Sequence, residues 1–336
     1  MRADRMTVQF NISKHWANAR TVVGLNAEFV TGSDLVAFFG LPFLILTAVL
    51  LPQRLWPALA RLAVPLAGGL LPAPPQTMAR SVAMAIGDRP VATVPGAIPK
   101  EAMIHGIARH FLTMRVLALG GRGVRTRVIG SGHIEAALAR GRGAVLWDSQ
   151  FQYANMATKL ALARAGIDLV HMSSAGHGVS ASWFGRHFLN WAWVLAEAKY
   201  LAERVVVSYV HPRTGMTRLA ERLRENRVVS VSVRAASRRP ATVRFFDRSL
   251  RLGPGAPALA FQTGAALLPV FTVMEAPGRY LTIVEAPLKI PARLGRREAV
   301  QGASAAYARR LEAHVLHNPG QWSGWGSGPV PRGEQA

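Results

Sequence analysis

The stretch Gly141 to Gly166 (GRGAVLWDSQFQYANMATKLALARAG) constrains the fold of this chain more than any other. The apolar run from Gly143 to Trp147 follows a Gly-Arg-Gly turn and is typical of a buried strand in a parallel sheet. Met156 to Ala165 carries apolar residues at helical spacing and ends at a glycine, which predicts a helix. Ligands of open α/β sheets bind where such a strand ends and the next helix begins. The sequence therefore predicts a site at residues 148–155.

The rest of the chain continues this alternation of strand and helix, which is typical of an α/β protein with parallel strands. Short apolar runs predict strands, and longer segments with helical spacing predict helices. The predicted strands are 124–129, 168–172, 205–209 and 228–233, and the predicted helices are 100–119, 131–140 and 214–227.

Two apolar stretches near the N-terminus predict contact with a membrane. Leu35 to Leu51 has no charged residue but is at the lower length limit for a membrane span, which needs about 20 residues. Pro42 is expected to interrupt it. The second stretch, Leu55 to Leu71, contains Arg61. Together they indicate a short helical hairpin or an interfacial anchor, the alternative being a pair of buried helices that cap the following domain.

The formal net charge of +22 comes mostly from arginine and indicates anionic partners. Phospholipid head groups and an acidic carrier protein fit this charge. Nucleic acid is not expected, because no helix-turn-helix, zinc-finger or RNA-recognition signature is present. The basic helix 214–227 is a candidate contact, through Arg218, Arg222 and Arg224. With no cysteine and no phosphate-loop, dinucleotide or zinc motif, neither a cofactor nor a metal is predicted.

A series of motifs between about residues 125 and 325 resembles the late acyltransferases of lipid A biosynthesis, a branch of the lysophospholipid acyltransferase superfamily. Each motif is modest, but all occur in the family's order: Gly130 to Leu138, Val243 to Arg248, Gly253 to Ala260, Thr263 to Phe271 and Asn318 to Trp322. The resemblance implies a glycerolipid acyltransferase-like α/β fold, a mixed sheet flanked by helices on both faces with an N-terminal apolar helical region.

The resemblance also implies a function and a location. The expected activity is transfer of a fatty acyl group from a carrier-protein or coenzyme A thioester to a membrane lipid or glycolipid, at the cytoplasmic face of the bacterial inner membrane. The competing interpretation is a non-catalytic relative that kept the acyl groove as a lipid-binding or complex-forming surface. The predicted division is an N-terminal arm with apolar helices (1–75), an α/β domain (76–330) and a tail (331–336).

The family's catalytic pair is missing from this sequence. Gln150 stands where the family has its histidine, and Asn155 stands where it has a carboxylate. An amide cannot act as a general base near neutral pH. The segment that begins at Arg234 likewise replaces a family Asp-Gln pair, whereas Arg186 matches a family arginine. Gln150, Asn155, Arg186 and Arg234 are therefore predicted to bind substrate.

A substitute base is predicted at His177, in a loop flanked by glycines that should lie at the same end of the sheet. The alternative for His177 is a solvated loop histidine. Asp148 is the second catalytic candidate, because a carboxylate there could orient the imidazole of His177. Its alternative role is to cap the following helix.

Overall fold

The computed structural model describes residues 29–66, 76–87, 89–91, 93–174, 177–180, 182–207, 212–233, 239–246, 248–291 and 293–327. Arg234, one of the predicted substrate-binding residues, lies outside these ranges, as do the first part of the predicted N-terminal arm and the predicted tail.

A seven-stranded mixed sheet forms the centre of the protein, in the order β1-β9-β8-β2-β5-β3-β4. Neighbouring strands are parallel except β8 and β9, which are antiparallel, so β1 and β9 run opposite to the other five. A separate antiparallel pair, β6 and β7, lies beside the sheet. The strands are β1 (Arg125–Ile129), β2 (Ala144–Asp148), β3 (Leu169–Ser174), β4 (Glu203–Val207), β5 (Val228–Ser232), β6 (Ala241–Phe245), β7 (Arg248–Leu252), β8 (Ala266–Ala276) and β9 (Arg279–Val284).

Helices alternate with the strands, as the sequence predicts. They are α1 (Gly32–Leu50), α2 (Trp56–Leu66), α3 (Gln76–Ile86), α4 (Ile98–Leu119), α5 (Gly132–Leu138), α6 (Ala154–Arg164), α7 (Trp191–Ala198), α8 (Pro212–Arg224), α9 (Gly255–Thr263) and α10 (Arg296–His317). A π-helical turn, Gly185–Leu189, precedes α7. The predicted helices and strands lie within a few residues of these bounds.

The central strand β2 is buried on both faces, which explains its continuous apolar sequence. On one face Leu146 packs in a cluster with Ile134 of α5 and Leu162 of α6. On the other face Trp147 packs against Tyr307 of α10, with ring centroids 4.2 Å apart. The predicted fold class, a mixed sheet with helices on both faces, is confirmed.

Gly143 sets the position of β2 beside β5. Its φ is +69°, and a Cβ atom there would lie 2.6 Å from the carbonyl oxygen of Arg227. Only glycine fits such a close approach of two backbones. The glycine turn thus brings the start of β2 against the start of β5.

The N-terminal apolar region differs from the prediction in one respect. Pro42 does not interrupt the first stretch, because α1 runs as one helix through it, with Pro42 exposed on its surface. In the part of the chain that the structure describes, α1 is the one helix long and apolar enough to cross a membrane. The second stretch forms α2 up to Leu66, and its remainder, 67–71, lies outside the described residues.

Candidate active site

The face of the sheet toward α6 and α7 becomes polar near the carboxyl ends of its central strands. Apolar residues such as Leu146 and Leu169 give way to Asp148 on β2, His171 on β3 and Ser230 on β5, all buried. The parallel register places His171 opposite Ser230, and their side chains are hydrogen-bonded at 2.7 Å. This polar layer lies at the sheet end where the sequence predicts a site.

A buried ion pair covers this layer. Lys159 of α6 donates from Nζ to Oε2 of Glu197 on α7, at 2.6 Å, and their side chains are 2% and 1% exposed. Each charge is costly to bury alone, and the partner offsets part of that cost. The pair therefore links α7 to α6 above the polar layer.

Two more side chains complete what we call the His177–Glu197 cluster (His177, Glu197, Lys159 and Asn155). Nε2 of His177 lies 2.7 Å from Oε1 of Glu197. Asn155 donates from Nδ2 to the same oxygen, at 2.6 Å, and accepts from Lys159 at 2.8 Å. His177 is 12% exposed and Asn155 is exposed, so the cluster opens to solvent on this side.

The local sequence explains how these side chains meet. Asn155 and Lys159 are four residues apart on α6, and residues at this spacing lie one above the other on a helix. His177 lies in the loop after β3, at the carboxyl end of that strand. On α7 the buried face carries Ala196 and Glu197, whereas Leu195 is exposed.

The charges of the ion pair follow from its surroundings. Burial by itself would raise the pKa of Glu197, but the ammonium of Lys159 and the hydrogen bond with His177 lower that pKa well below its usual range. Burial lowers the pKa of Lys159, and Glu197 acts in the opposite direction. Glu197 is thus held as the carboxylate and can accept a hydrogen bond from the imidazole.

Asp148 belongs to the same polar layer but does not touch His177. Burial raises its pKa to about 7, although the nearby Lys159 ammonium and the backbone N–H of Ser149 lower it. Its Oδ1 atom has no hydrogen-bond partner among the described residues. Asp148 does not cap α6 either, since that helix begins after Tyr153 without a side-chain cap. Among the described residues, Glu197 rather than Asp148 is the carboxylate that contacts His177.

Gln150 is used to hold backbone segments together. Its side-chain amide donates to the carbonyl oxygen of Val233, at the end of β5. Its own carbonyl accepts from the backbone N–H of Ser323, at 2.8 Å. Nearby, Gln321 of the Pro-x-Gln-Trp motif bonds the backbone of Met274 through both atoms of its amide. This motif and Gln150 therefore fix the loop after β2.

Arg186 is not brought to the cluster. It lies on the π-helical turn, where its Nε atom donates to the carbonyl of Ser182 at 3.1 Å. Of the predicted site residues, His177 and Asn155 both bond Glu197. Asp148 interacts electrostatically with Lys159, the ion-pair partner of Glu197. Gln150 and Arg186 contact other groups.

Sequence reasoning missed Glu197 and Lys159. A signal was present, since both are charged residues in helices that are otherwise almost wholly apolar on their inner faces. Charged residues are rarely buried unless they are paired, so such residues are candidates for a polar site. Their pairing could not be predicted, because 38 residues separate them in the chain.

The arrangement can perform general-base chemistry. When Nε2–H of His177 is donated to Glu197, Nδ1 keeps the lone pair. No described residue bonds to Nδ1, so a substrate proton could reach it. A carboxylate that fixes one nitrogen while the other meets the substrate is the arrangement found in catalytic triads.

Comparison with known proteins finds one matching family and similar solved structures. The family model described as "Bacterial lipid A biosynthesis acyltransferase" matches residues 35–325. Among solved structures, the crystal structure of the 1-acyl-sn-glycerophosphate (LPA) acyltransferase, PlsC, from Thermotoga maritima is similar at 14% sequence identity and a TM-score of 0.36. That similarity covers 72% of this chain and 96% of the other. No curated protein matches the sequence.

Proposed function

Because the chain belongs to the bacterial lipid A biosynthesis acyltransferase family, we propose that it moves a fatty acyl group from a thioester to a lipid hydroxyl with His177 as general base. The observation that carries this proposal is the contact between His177 and the buried, ionised Glu197 at the carboxyl end of the sheet. It supplies a histidine and an acid from positions other than Gln150 and Asn155.

The proposed reaction uses the imidazole as both base and acid. Nδ1 of His177 takes the proton of the acceptor hydroxyl while the oxygen forms a bond to the thioester carbonyl carbon. The tetrahedral intermediate then collapses, the carbon–sulfur bond breaks, and the departing thiolate takes the proton from Nδ1. Glu197 stabilises the imidazolium between these two transfers and keeps the ring in one orientation.

Positive charge near the cluster would stabilise the negative oxygen of the intermediate. Lys159 is already engaged with Glu197. Arg204 of β4 acts electrostatically on both and donates to the carbonyl of Ser174 at 3.3 Å, three residues before His177. Its Nε atom is buried and has no partner among the described residues. We assign Arg204 to the oxyanion or to an anionic group of a substrate.

The proposed donor is an acyl carrier protein or acyl coenzyme A, and the proposed acceptor is a membrane lipid or glycolipid. Both donors are acidic, in keeping with the net charge of +22. The basic helix α8 offers less free charge than its sequence indicates, because Arg218 and Arg222 form ion pairs with Glu203. Arg224 is exposed and has no acidic partner in the described ranges. The proposed location is the cytoplasmic face of the bacterial inner membrane.

A non-catalytic, lipid-binding role is the second candidate function. The observation that favours it is Gln150. This residue occupies the family's histidine position, and its side-chain amide donates a hydrogen bond to the carbonyl of Val233. In that case the protein would bind an acylated lipid or donor without turnover, and the cluster would only join α6 to α7.

Two measurements separate these functions. Lipid extracts from cells with and without the gene should differ by one acylated species, which would name the acceptor. Purified full-length protein should then form that species from the deacylated lipid and either acyl carrier protein thioester or acyl coenzyme A. Unchanged lipid profiles, together with binding but no product in vitro, would overturn the enzymatic proposal in favour of lipid binding.

A further inference from the structure

Two segments far apart in the chain expose large apolar side chains on one side of the protein. On α1, Phe39 is 76% exposed and Phe43 is 71% exposed. The second segment is 183–195, which contains the π-helical turn and the first part of α7. We call the whole set the apolar surface: Leu35, Val36, Phe38, Phe39, Phe43, Leu46 and Leu50 from α1, with Trp183, Phe188, Trp191 and Leu195 from the second segment.

Aromatic contacts make these two segments one surface. Phe38 packs edge-on against Phe184 with ring centroids 5.5 Å apart, and Phe29 stacks on Trp183 at 4.7 Å. A groove of about 590 Å³ lies between α1 and the side chains of Phe188 and Trp191, and its lining is apolar throughout. Exposed apolar patches of this kind mark contacts with membranes or with other proteins.

The N-terminal end of α1 is fixed to the α/β domain. The backbone N–H of Phe184 donates to the carbonyl of Phe29 at 2.9 Å. The carboxylate of Asp34, which is 1% exposed, lies beside the side chains of Ser180 and Ser182 and close to Gly185. These contacts hold the start of the helix on the loop between β3 and α7.

The C-terminal end of α1 is fixed as well. Arg115 of α4 donates to the carbonyl of Ala48 at 2.8 Å, and Leu41 and Ala48 are buried in a cluster with residues of α4. A 19-residue helix is about 28 Å long, close to the thickness of the hydrocarbon core. A helix that crossed the membrane would carry one end about that far from the domain. Here both ends lie on the domain.

We infer that α1 does not cross the bilayer, and that the apolar surface is embedded in one leaflet of a membrane with anionic head groups. Lipid is the occupant, rather than a protein partner, because α1 has a mean hydropathy of 2.0 over its most apolar window and is only 22% buried there. Exposed Arg54, in the turn after α1, and exposed Arg61, on α2, would meet anionic head groups.

This surface lies on the outer side of the candidate site. Trp191 and Leu195 are exposed on α7, whereas Glu197 of the same helix is buried against His177. The embedded surface would therefore bring the His177–Glu197 cluster close to the membrane interface. The inference concerns attachment only, so it does not depend on the acyl-transfer proposal.

Vesicle binding of the full-length protein tests the surface. Trp191→Glu combined with Leu195→Glu should weaken flotation with phosphatidylcholine–phosphatidylglycerol vesicles by at least about tenfold, because burial of each apolar side chain in hydrocarbon stabilises the bound protein. The matched control is Ile129→Glu combined with Leu294→Glu, at residues that are similarly exposed elsewhere. Equal binding of both double variants and the parent would overturn the inference. Circular dichroism and thermal unfolding confirm that each variant folds.

Introduced cysteines test whether α1 crosses the membrane, since the chain has none of its own. Gly32, Gly40 and Gly302 are exposed, and a side chain at any of them would meet no atom within 4 Å. With a membrane-impermeant maleimide, Gly32→Cys and Gly302→Cys should be labelled from the same side of the membrane. Gly40→Cys should react in detergent and be protected by lipid. Labelling of Gly32→Cys and Gly302→Cys from opposite sides would show that the helix crosses and overturn the inference.

Activity distinguishes this inference from the proposed function. His177→Ala should leave vesicle binding at the parental level, whatever it does to acyl transfer. If the protein is not an enzyme, both membrane tests still give their expected results.

Discussion

The loops that follow β2 and β3 differ in what their polar side chains contact. The resemblance to the family leads us to expect both the family's sequence position and a titratable histidine in the β2 loop. In the β2 loop, Gln150 ties the end of β5 and the C-terminal segment together by hydrogen bonds to backbone. In the β3 loop, His177 contacts a buried carboxylate and is open to solvent. The β2 loop contains the position of the family's histidine, but that position is Gln150. The β3 loop contains a histidine, His177, at a position where the family's motif has none.

Under the proposed function, the two loops keep the site at one end of the sheet and place its histidine in a different loop. Both loops leave the same end of the sheet, and β5 alone lies between β2 and β3. Asn155, at the family's acid position, still touches the site because it bonds Glu197. The comparison therefore predicts that substitutions in the β3 loop change catalysis, whereas those at Gln150 change stability.

The largest expected effect is on turnover at His177. His177→Ala should lower kcat by about 10²- to 10⁴-fold, the usual contribution of a general base. His317→Ala is the matched control, since His317 is exposed at the end of α10 and bonds only backbone. The measurement is product formation with the acceptor identified from lipid profiles. Full activity of His177→Ala would show that the β3 loop does not supply the general base.

Next in size is the loss of stability at the buried ion pair. Glu197→Gln should lower the free energy of unfolding by about 3–5 kcal/mol, because it leaves the Lys159 ammonium buried without its counter-charge. Adding Lys159→Met should restore much of this loss but not activity. Since the pKa of Glu197 is lowered by folding, its stabilisation is present at neutral pH and declines as pH falls below about 4.5. Urea unfolding at several pH values measures both effects.

A moderate, pH-dependent effect is expected at Asp148. Folding raises its pKa from 3.8 to about 7, so the protonated form is favoured in the folded protein. The free energy of unfolding of the parent should therefore fall, relative to Asp148→Asn, as pH rises from about 4 to about 7, by up to about 1.4 kcal/mol per pH unit. Above pH 7 the difference should be constant. Asp168→Asn, at an exposed site, is the matched control.

The smallest expected effect is at Gln150. Gln150→Ala removes a hydrogen bond to Val233 and should cost about 1–3 kcal/mol of stability while changing kcat less than about tenfold. Gln301→Ala, which removes an exposed side-chain bond to backbone, is the control and should cost less. Gln150→His should not rescue His177→Ala. Recovery of activity in the double variant Gln150→His, His177→Ala would show that the general base can act from the β2 loop, and would contradict the comparison.

The sequence by itself determined the alternation of strands and helices, and it placed His177 in a loop at the carboxyl end of the sheet. Each of these is a local property. The two-residue period of a strand, the 3.6-residue period of a helix and the glycines that end them act over a few neighbours in the chain. The strand from Gly143 to Trp147 and the helix after it were predictable for this reason.

Only the tertiary structure decided which carboxylate meets His177. Asp148 is nearer to Lys159 in the chain than Glu197 is, yet Glu197 bonds both Lys159 and His177, because α7 packs on α4 and places Glu197 over the polar layer. Packing also decided that Pro42 stays within a helix and that both ends of α1 lie on the domain. Such contacts join residues tens of positions apart, and their free energy depends on burial, which a local pattern does not contain.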